Sequence, residues 1–342
     1  MELRPLGRTG VQVSKLCLGA MMFGQWGNPD HDDSIRIIHA AMDAGINFID
    51  TADIYSQGES EEIVAKALAG GKRDDVVLAT KFFVPMGEGP NQGGVSRRWI
   101  MQEVESSLRR LGTDWIDLYQ VHRYDTGTDL EETLGALDDL VRQGKVRYVG
   151  SSTFPASTIV EAQWVSRQRG LQRYVSEQPP YSMLVRGIEA DVLPTAQRYG
   201  MAVIPWSPLS GGWLTGRYRK GADIAEPTSA ARRRLADRYD LTLPANQAKL
   251  EAADQLAHLA DEAGIPLVQL AIAWVARHPA ITSPIIGPRT MEQLEGQLPA
   301  ANLVIEDALL DRIDEIVPPG VNINPADGGW QNPALEASAR RR

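Results

Sequence analysis

Short apolar runs alternate with amphipathic stretches of helical length from residue 15 onward, and the alternation predicts repeated β-α units around a parallel sheet. Strands are expected at 15–18, 47–50, 76–80, 116–121, 146–150, 174–178, 202–205 and 282–286. Between them, Ile100, Val104, Leu108 and Leu111 mark one face of a helix over 96–111, with Gly112 placed to cap it. Leu134, Leu137, Leu140 and Val141 give the next helix its apolar face, and Gly144 ends it before Val146 opens a strand. Strands and helices in this rhythm suit a closed (β/α)8 TIM barrel, whereas an open doubly wound sheet more often carries G-x-G-x-x-G after its first strand. No such motif is present. Ahead of the barrel, 2–6 and 12–13 flank 7–10 as a β-hairpin that caps its floor.

Three segments exceed ordinary loop length, 21–32, 207–244 and 318–342, and long loops in a compact domain are usually functional or disordered. They are expected at the C-terminal face. The last, with Pro318, Pro319, Gly320, Pro325, Gly328, Gly329 and Pro333, cannot be helical for most of its course, yet Trp330 gives it something to bury over the barrel mouth. Residues 1–342 are read as one domain, with 319–342 as its C-terminal tail.

Composition narrows the partners. The net charge of -9 weighs against nucleic acid or an anionic membrane, whose surfaces repel acidic proteins. Cys17 is the single cysteine, which excludes an internal disulfide and a multi-cysteine metal site, and its apolar surroundings predict a buried, inert thiol. His31, His39, His258 and His278 lack metal-ligand spacing, so no metal site is expected. The N-terminus has no secretory apolar stretch, and no later run is long enough to span a membrane, which points to the cytoplasm.

The chemistry follows from the strand ends. Asp50 ends the second barrel strand, Lys81 follows the third, His122 follows the fourth, and Tyr55 lies in the loop after Asp50. These ends share the C-terminal face, where barrel active sites are built. An acid, a lysine, a tyrosine and a histidine converging there suggest proton transfer to a carbonyl, with Tyr55 as donor, Lys81 stabilising its phenolate, Asp50 orienting Lys81 and His122 polarising the substrate oxygen. The alternative is structural: an Asp50–Lys81 ion pair, Tyr55 as a barrel cap and His122 bonded to a backbone carbonyl.

The blocks GINFIDTADIY, LATKF, DLYQVH, GKVRYVGSSTF, EQPPYS and PWSPLSGGWLTGRY strongly resemble the aldo-keto reductases, from about Leu6 to Leu298. The resemblance implies reversible NADP(H)-dependent reduction of a small aldehyde or ketone, with NADP(H) preferred over NAD(H). It assigns Asp50, Tyr55, Lys81 and His122 as the catalytic tetrad. It places Ser152 and Gln178 on the cofactor's carboxamide, Trp206 against the nicotinamide, Ser207, Pro208, Leu209, Ser210, Gly211 and Arg217 on the pyrophosphate, and Gly19, Ala20, Met21 and Asp50 along the same groove. Gly287, Arg289, Gln293 and Gln297 resemble the segment that holds the adenosine 2′-phosphate, where a helix N-terminus favours an anion. Three positions depart from the usual pattern: Thr153 and Gln297 each stand where asparagine is common, and Gly296 where an acid is common. Phe23, Trp26, Phe83 and Trp330, with Tyr55 and His122, are expected to surround the substrate.

Potassium-channel β subunits resemble the same fold and use the nucleotide chiefly as a regulatory ligand. Asparagine commonly replaces the histidine there, so His122 favours an enzyme. A barrel glycosidase needs two facing carboxylates, and Asp50 has no such partner at a strand end. A sugar or secondary-alcohol dehydrogenase working in the oxidative direction keeps the same chemistry, and oligomeric state is not readable from the chain.

Overall fold

Every apolar run marked as a strand forms one. In this computed structural model, which describes residues 1–222 and 236–341, Leu3–Pro5 (β1) and Gln12–Ser14 (β2) pair antiparallel as the N-terminal hairpin. Eight parallel strands follow: Cys17–Gly19 (β3), Phe48–Asp50 (β4), Val77–Phe82 (β5), Ile116–Val121 (β6), Val146–Ser151 (β7), Ser176–Glu177 (β8), Ala202–Val203 (β9) and Ile285–Ile286 (β10), in the spatial order β10-β3-β4-β5-β6-β7-β8-β9. The two ends of this curled sheet meet. Thr282 N–H donates to the Val203 carbonyl and Ile285 N–H to the Pro205 carbonyl, each at 2.9 Å, an arrangement consistent with a (β/α)8 barrel.

The last three strands are shorter than the apolar runs suggest. Expected at 174–178, 202–205 and 282–286, they keep two residues of regular ladder each. Pro179, Pro180, Pro205 and Pro284 lie in or beside them, and a proline has no N–H to donate to a neighbouring strand.

Side chains alternate along a strand, so residues two apart share a face. Leu6, Val13, Cys17, Phe48, Ala79, Leu118, Ala202 and Ile204 form one apolar cluster inside the sheet. The residues two further on toward the C-terminal ends are polar: Asp50 after Phe48, Lys81 after Ala79, Gln120 and then His122 after Leu118. One face therefore runs from a dry floor to a polar rim. The other face packs against helices, among them His31–Asp43 (α1), Glu59–Leu68 (α2), Arg97–Leu111 (α3), Leu130–Arg142 (α4), Ala156–Arg169 (α5), Val192–Tyr199 (α6), Pro244–Glu262 (α7), Leu267–Arg277 (α8), Met291–Gln297 (α9) and Asp307–Ile316 (α10). Helix α3 has the expected caps: the Ser96 side chain accepts from Trp99 N–H, and Gly112 closes the other end in the left-handed conformation. Among the described residues, no single helix is long and apolar enough to cross a membrane. Cys17 is fully buried, and burial pushes its thiol well above the ordinary range, as expected of an inert core cysteine.

The hairpin meets the floor of this sheet through Leu6, which is buried in the inner cluster, and through Gly7. At Gly7 φ is +59°, and a Cβ would lie 2.8–2.9 Å from Gly200 O, Ala202 N and Val175 O. All three are backbone atoms, which cannot swing aside. Gly7→Ala is expected to destabilise the fold by about 2 kcal/mol or more. Gly10→Ala, in the same turn but with nothing within 4 Å, serves as the control, and equal melting temperatures for the two variants would show that the hairpin does not pack closely on the floor.

Candidate active site

Asp50 organises the rim. Its Oδ2 accepts from Lys81 Nζ at 2.5 Å, and its Oδ1 accepts from Gln178 Nε2 at 2.8 Å and Gln120 Nε2 at 3.1 Å. One carboxylate thus gathers side chains from β4, β5, β6 and the residue after β8. All of these groups are buried, where charge-assisted hydrogen bonds offset the loss of hydration.

Lys81 has three N–H donors and three acceptors: Asp50 Oδ2, the Thr51 carbonyl at 2.8 Å and the Tyr55 hydroxyl oxygen at 3.2 Å. Because the Tyr55 oxygen accepts from Lys81, its own O–H is left to donate elsewhere. The His122 ring lies edge-on to the Tyr55 ring, with centroids 5.8 Å apart. Its Nδ1 is buried without a partner among the described residues, so Nε2 is the nitrogen facing the cleft.

Burial and charge set the protonation states. Burial pushes the Tyr55 pKa up and Lys81 pulls it down, and burial prevails. Lys81 by itself favours the phenolate, but the net result keeps the phenol protonated. Burial opposes the charge on Lys81, while Asp50 and Tyr55 together outweigh it and raise its pKa. Burial, then Lys81 and the neighbouring Arg123, hold His122 well below the histidine range and therefore neutral.

Around this core, Trp26 N–H donates to Ser56 Oγ at 3.1 Å, and its ring stands 6.1 Å from that of Tyr55. Trp206 Nε1 donates to Thr153 Oγ1 at 3.4 Å, and Ser152 Oγ donates to the Gln178 carbonyl at 2.9 Å. Phe23 does not line the cleft: its side chain is fully buried in the apolar core, so the aromatic wall expected there is reduced by one ring. Phe83 is half-buried and packs on the same core, and Trp330 is half-buried in the tail. The tail does reach the site. A Cβ at Gly329 would lie 3.0 Å from Thr153 Cγ2 and Trp206 Cζ2, and Lys249 Nζ to Asp327 Oδ2, at 2.7 Å, ties the preceding turn to α7 in a buried ion pair.

The segments expected to hold a cofactor have distinct geometries. Gly19 pairs with Asp50 across the β3–β4 ladder, Ala20 N–H donates to the Asp50 carbonyl at 2.8 Å, and Met21 is exposed. Ser207, Ser210 and Gly211 have φ of +57°, +48° and +65°, with Pro208 and Leu209 between them. Pro208 has no N–H, and the Ser210 and Gly212 N–H groups donate to the Ser207 and Leu209 carbonyls, both at 2.8 Å, which fixes the turn from within. Tyr239 hydroxyl donates to the Gly211 carbonyl at 3.1 Å, and Arg217 is exposed. Gly287 is exposed, Arg289 N–H donates to Gln293 Oε1 at 3.0 Å, and Asn28 Nδ2 holds the Arg289 carbonyl at 3.0 Å. Gln297 is buried, with Oε1 lacking a partner among the described residues. The expected long loop at 207–244 includes 223–235, which lie outside the described residues.

Sequence reasoning missed Gln120, Arg123 and Glu177. Gln120 was findable, since it lies two residues before His122 on the same face of β6. Glu177 was not, because its partners, Ser151 Oγ at 2.5 Å and Phe154 N–H at 3.1 Å, come from a neighbouring strand end.

The aldo/keto reductase family profile matches residues 15–318, and the chain belongs to that family. It is 40% identical to an uncharacterized oxidoreductase of Bacillus subtilis, over 96% of this chain and all of that one. It is 34% identical to a probable voltage-gated potassium channel subunit beta of Arabidopsis thaliana, over 93% of this chain and 97% of that one. The versiconal hemiacetal acetate reductase of Aspergillus parasiticus is 33% identical, over 92% and 96%. These relatives support an oxidoreductase acting on carbonyl compounds.

Burial raises the Glu177 pKa to about 7, against about 4.3 for an unfolded glutamate. Between those values the folded state binds more protons than the unfolded one. Glu177 therefore lowers stability progressively as pH rises from about 4.3 to about 7, by about 4 kcal/mol in all, and by a constant amount above that. Glu177→Gln is expected to melt higher than the parent at about pH 8 and to converge with it below about pH 4. Parallel melting curves for the two proteins would mean that Glu177 titrates like an exposed acid.

Proposed function

We propose that this chain is a single-domain NADP(H)-dependent carbonyl reductase in which Tyr55 is the general acid. The observation that carries the reading is Lys81 held between the Asp50 carboxylate and the Tyr55 hydroxyl, beside a neutral His122. A protonated phenol whose oxygen already accepts from a lysine is arranged to release its proton, because the negative charge that develops meets a fixed cation.

The residues present suit a nicotinamide dinucleotide. Gln178 directs its side-chain Nε2 toward Asp50, which leaves its side-chain Oε1, with Ser152 Oγ, for a carboxamide. Trp206 offers a flat face, the 207–211 turn and Arg217 suit a pyrophosphate, and Gly19, Ala20, Met21 and Asp50 complete the groove. Gly287, Arg289 and Gln293 would meet the adenosine phosphate, and the unpartnered Gln297 Oε1 suits the amino group of adenine. When bound, the reduced dinucleotide supplies a hydride to the carbonyl carbon. Tyr55 gives its proton to the carbonyl oxygen, Lys81 stabilises the phenolate, and His122 donates from Nε2 to orient that oxygen. Trp26, Phe83 and Trp330 provide apolar walls for the rest of a small aldehyde or ketone. The reverse path oxidises an alcohol.

A regulatory nucleotide-binding role is the second reading, supported by the similarity to the Arabidopsis channel subunit. Titration with NADPH, followed by a panel of aldehydes and ketones, separates the two. Turnover that falls about 10²- to 10⁴-fold in Tyr55→Phe with NADPH affinity retained is the expected result. Binding with no turnover on any carbonyl favours the regulatory role, and absence of binding removes the cofactor assignment. With His122 held neutral and the Tyr55 pKa raised, kcat/KM for reduction is expected to show no inflection in the ordinary histidine range and to fall only above the ordinary tyrosine range. A histidine-like inflection that vanishes in His122→Gln would contradict that assignment. Arg289→Leu is expected to raise the Kd for NADPH about 10- to 100-fold and to change that for NADH far less; equal losses would place Arg289 away from the 2′-phosphate.

A further inference from the structure

Arg123 follows His122 directly, at the C-terminal end of β6, and its guanidinium turns back across the cleft. Nη1 donates to the His122 carbonyl at 2.7 Å and to Thr153 Oγ1 at 3.1 Å, and the guanidinium carbon stands 5.8 Å from the centre of the Trp206 ring. Both hydrogen-bond acceptors are neutral. Among the described residues no carboxylate lies within ion-pair distance of Arg123, and Nε and Nη2 have no hydrogen-bond partner yet keep some access to solvent. Other sheltered arginines of this chain are compensated: Arg110 by Glu61 and Glu103, both at 2.6 Å, Arg186 by Glu189 at 2.9 Å and Asp314 at 2.7 Å, and Arg73 by Asp117 at 2.7 Å. Glu177, the carboxyl whose charge reaches Arg123, is engaged by Ser151 and Phe154.

A cation removed from water without a counter-charge is costly. Two bonds through Nη1 satisfy any structural duty to the 122 and 153 turns and leave the other edge of the planar fork unused. That edge, Nε with Nη2, matches a carboxylate bidentately. Resting on the carbonyl-reductase reading above, we propose that Arg123 makes this site select aldehydes or ketones that carry a carboxylate, the guanidinium receiving the acid group while the carbonyl lies at Tyr55 and His122. A monoanion fits better than a phosphate ester, because Lys81 is committed to Asp50 and the nearby Arg238 faces Asp327 at 3.7 Å.

The test uses the full chain with NADPH and compares ω-oxo carboxylates, OHC–(CH2)n–COO⁻, with straight-chain aldehydes of the same length. The oxo acid is expected to exceed the uncharged aldehyde in kcat/KM by about 10- to 100-fold at the best-fitting n, mostly through KM. In Arg123→Met that ratio is expected to fall to about one, and Arg123→Lys to restore part of it, since an ammonium keeps the charge but not the fork. A wild-type protein with no preference for the acids overturns the proposal, whether or not the variants fold. So does an Arg123→Met variant that loses activity equally on both series, or one that weakens NADPH binding with the ratio unmoved. Titration of succinate into the protein–NADPH complex, read by tryptophan fluorescence, separates this proposal from the reading it rests on. Succinate binding that Arg123→Met abolishes, with no aldehyde of either kind turned over, upholds the anion site and rejects the reductase. Turnover of aldehydes with no succinate binding and no acid preference does the reverse.

Discussion

A carboxylate fully enclosed at a strand end can remain ionised only if donors surround it, and the interior of this protein is arranged to supply them to Asp50. Lys81 and Gln120 reach it from β5 and β6 and Gln178 from the residue after β8, so the register of the sheet and the position of the rim groups are one constraint. A shift of a single residue in β5 or β6 would turn Lys81 or Gln120 to the helix-facing side, leaving a buried charge without its partner. Gly150 belongs to the same arrangement. A Cβ there would lie 2.3 Å from Ser176 Oγ and 3.2 Å from Gln120 Cγ, so the absence of a side chain on β7 makes room for Gln120 to turn toward Asp50.

The same enclosure divides the titrating groups into two kinds. Tyr55 is kept protonated and His122 neutral, each by burial first, while Lys81 holds its proton because Asp50 and Tyr55 overcome burial. A protonated phenol, a neutral imidazole and a fixed ammonium side by side interact more strongly in a dry site than in water, and the roles proposed for them above depend on that. Closure of the site therefore matters to its chemistry.

That closure comes from the ends of the chain's longest connections. The tail is anchored by the buried Lys249–Asp327 pair and by Asn324 Nδ2 to Asn246 Oδ1 at 2.9 Å, which brings Gly329 against Trp206 and Thr153. On the opposite side, Asn28 ties the 21–32 segment to Arg289, and Glu59 Oε2 accepts from Gln25 N–H at 2.8 Å. Polar side chains within loops, rather than regular secondary structure, fix the mouth. Loops of this kind are where specificity varies among proteins that share a scaffold.

How much of this was legible in the chain depends on the range of the forces involved. Strand positions, helix faces and the caps at Ser96 and Gly112 follow from local periodicity and backbone preference, so they could be read directly, as could the convergence of Asp50, Tyr55, Lys81 and His122 once strand ends were known to share a face. The prolines in and beside the last three strands carry the local reason for their shortening, whereas the apolar runs there read as full strands. Phe23 was misplaced as a pocket wall because an aromatic residue on a loop carries no local sign of which side it buries. Residue identity and alternation determined which groups would stand at the rim. Only the tertiary structure decided how far burial would outweigh Lys81 at Tyr55, that Arg123 would face the cleft without a counter-charge, and that Gly329 would lie against Trp206, because desolvation and charge pairing depend on what distant segments bring within a few ångströms.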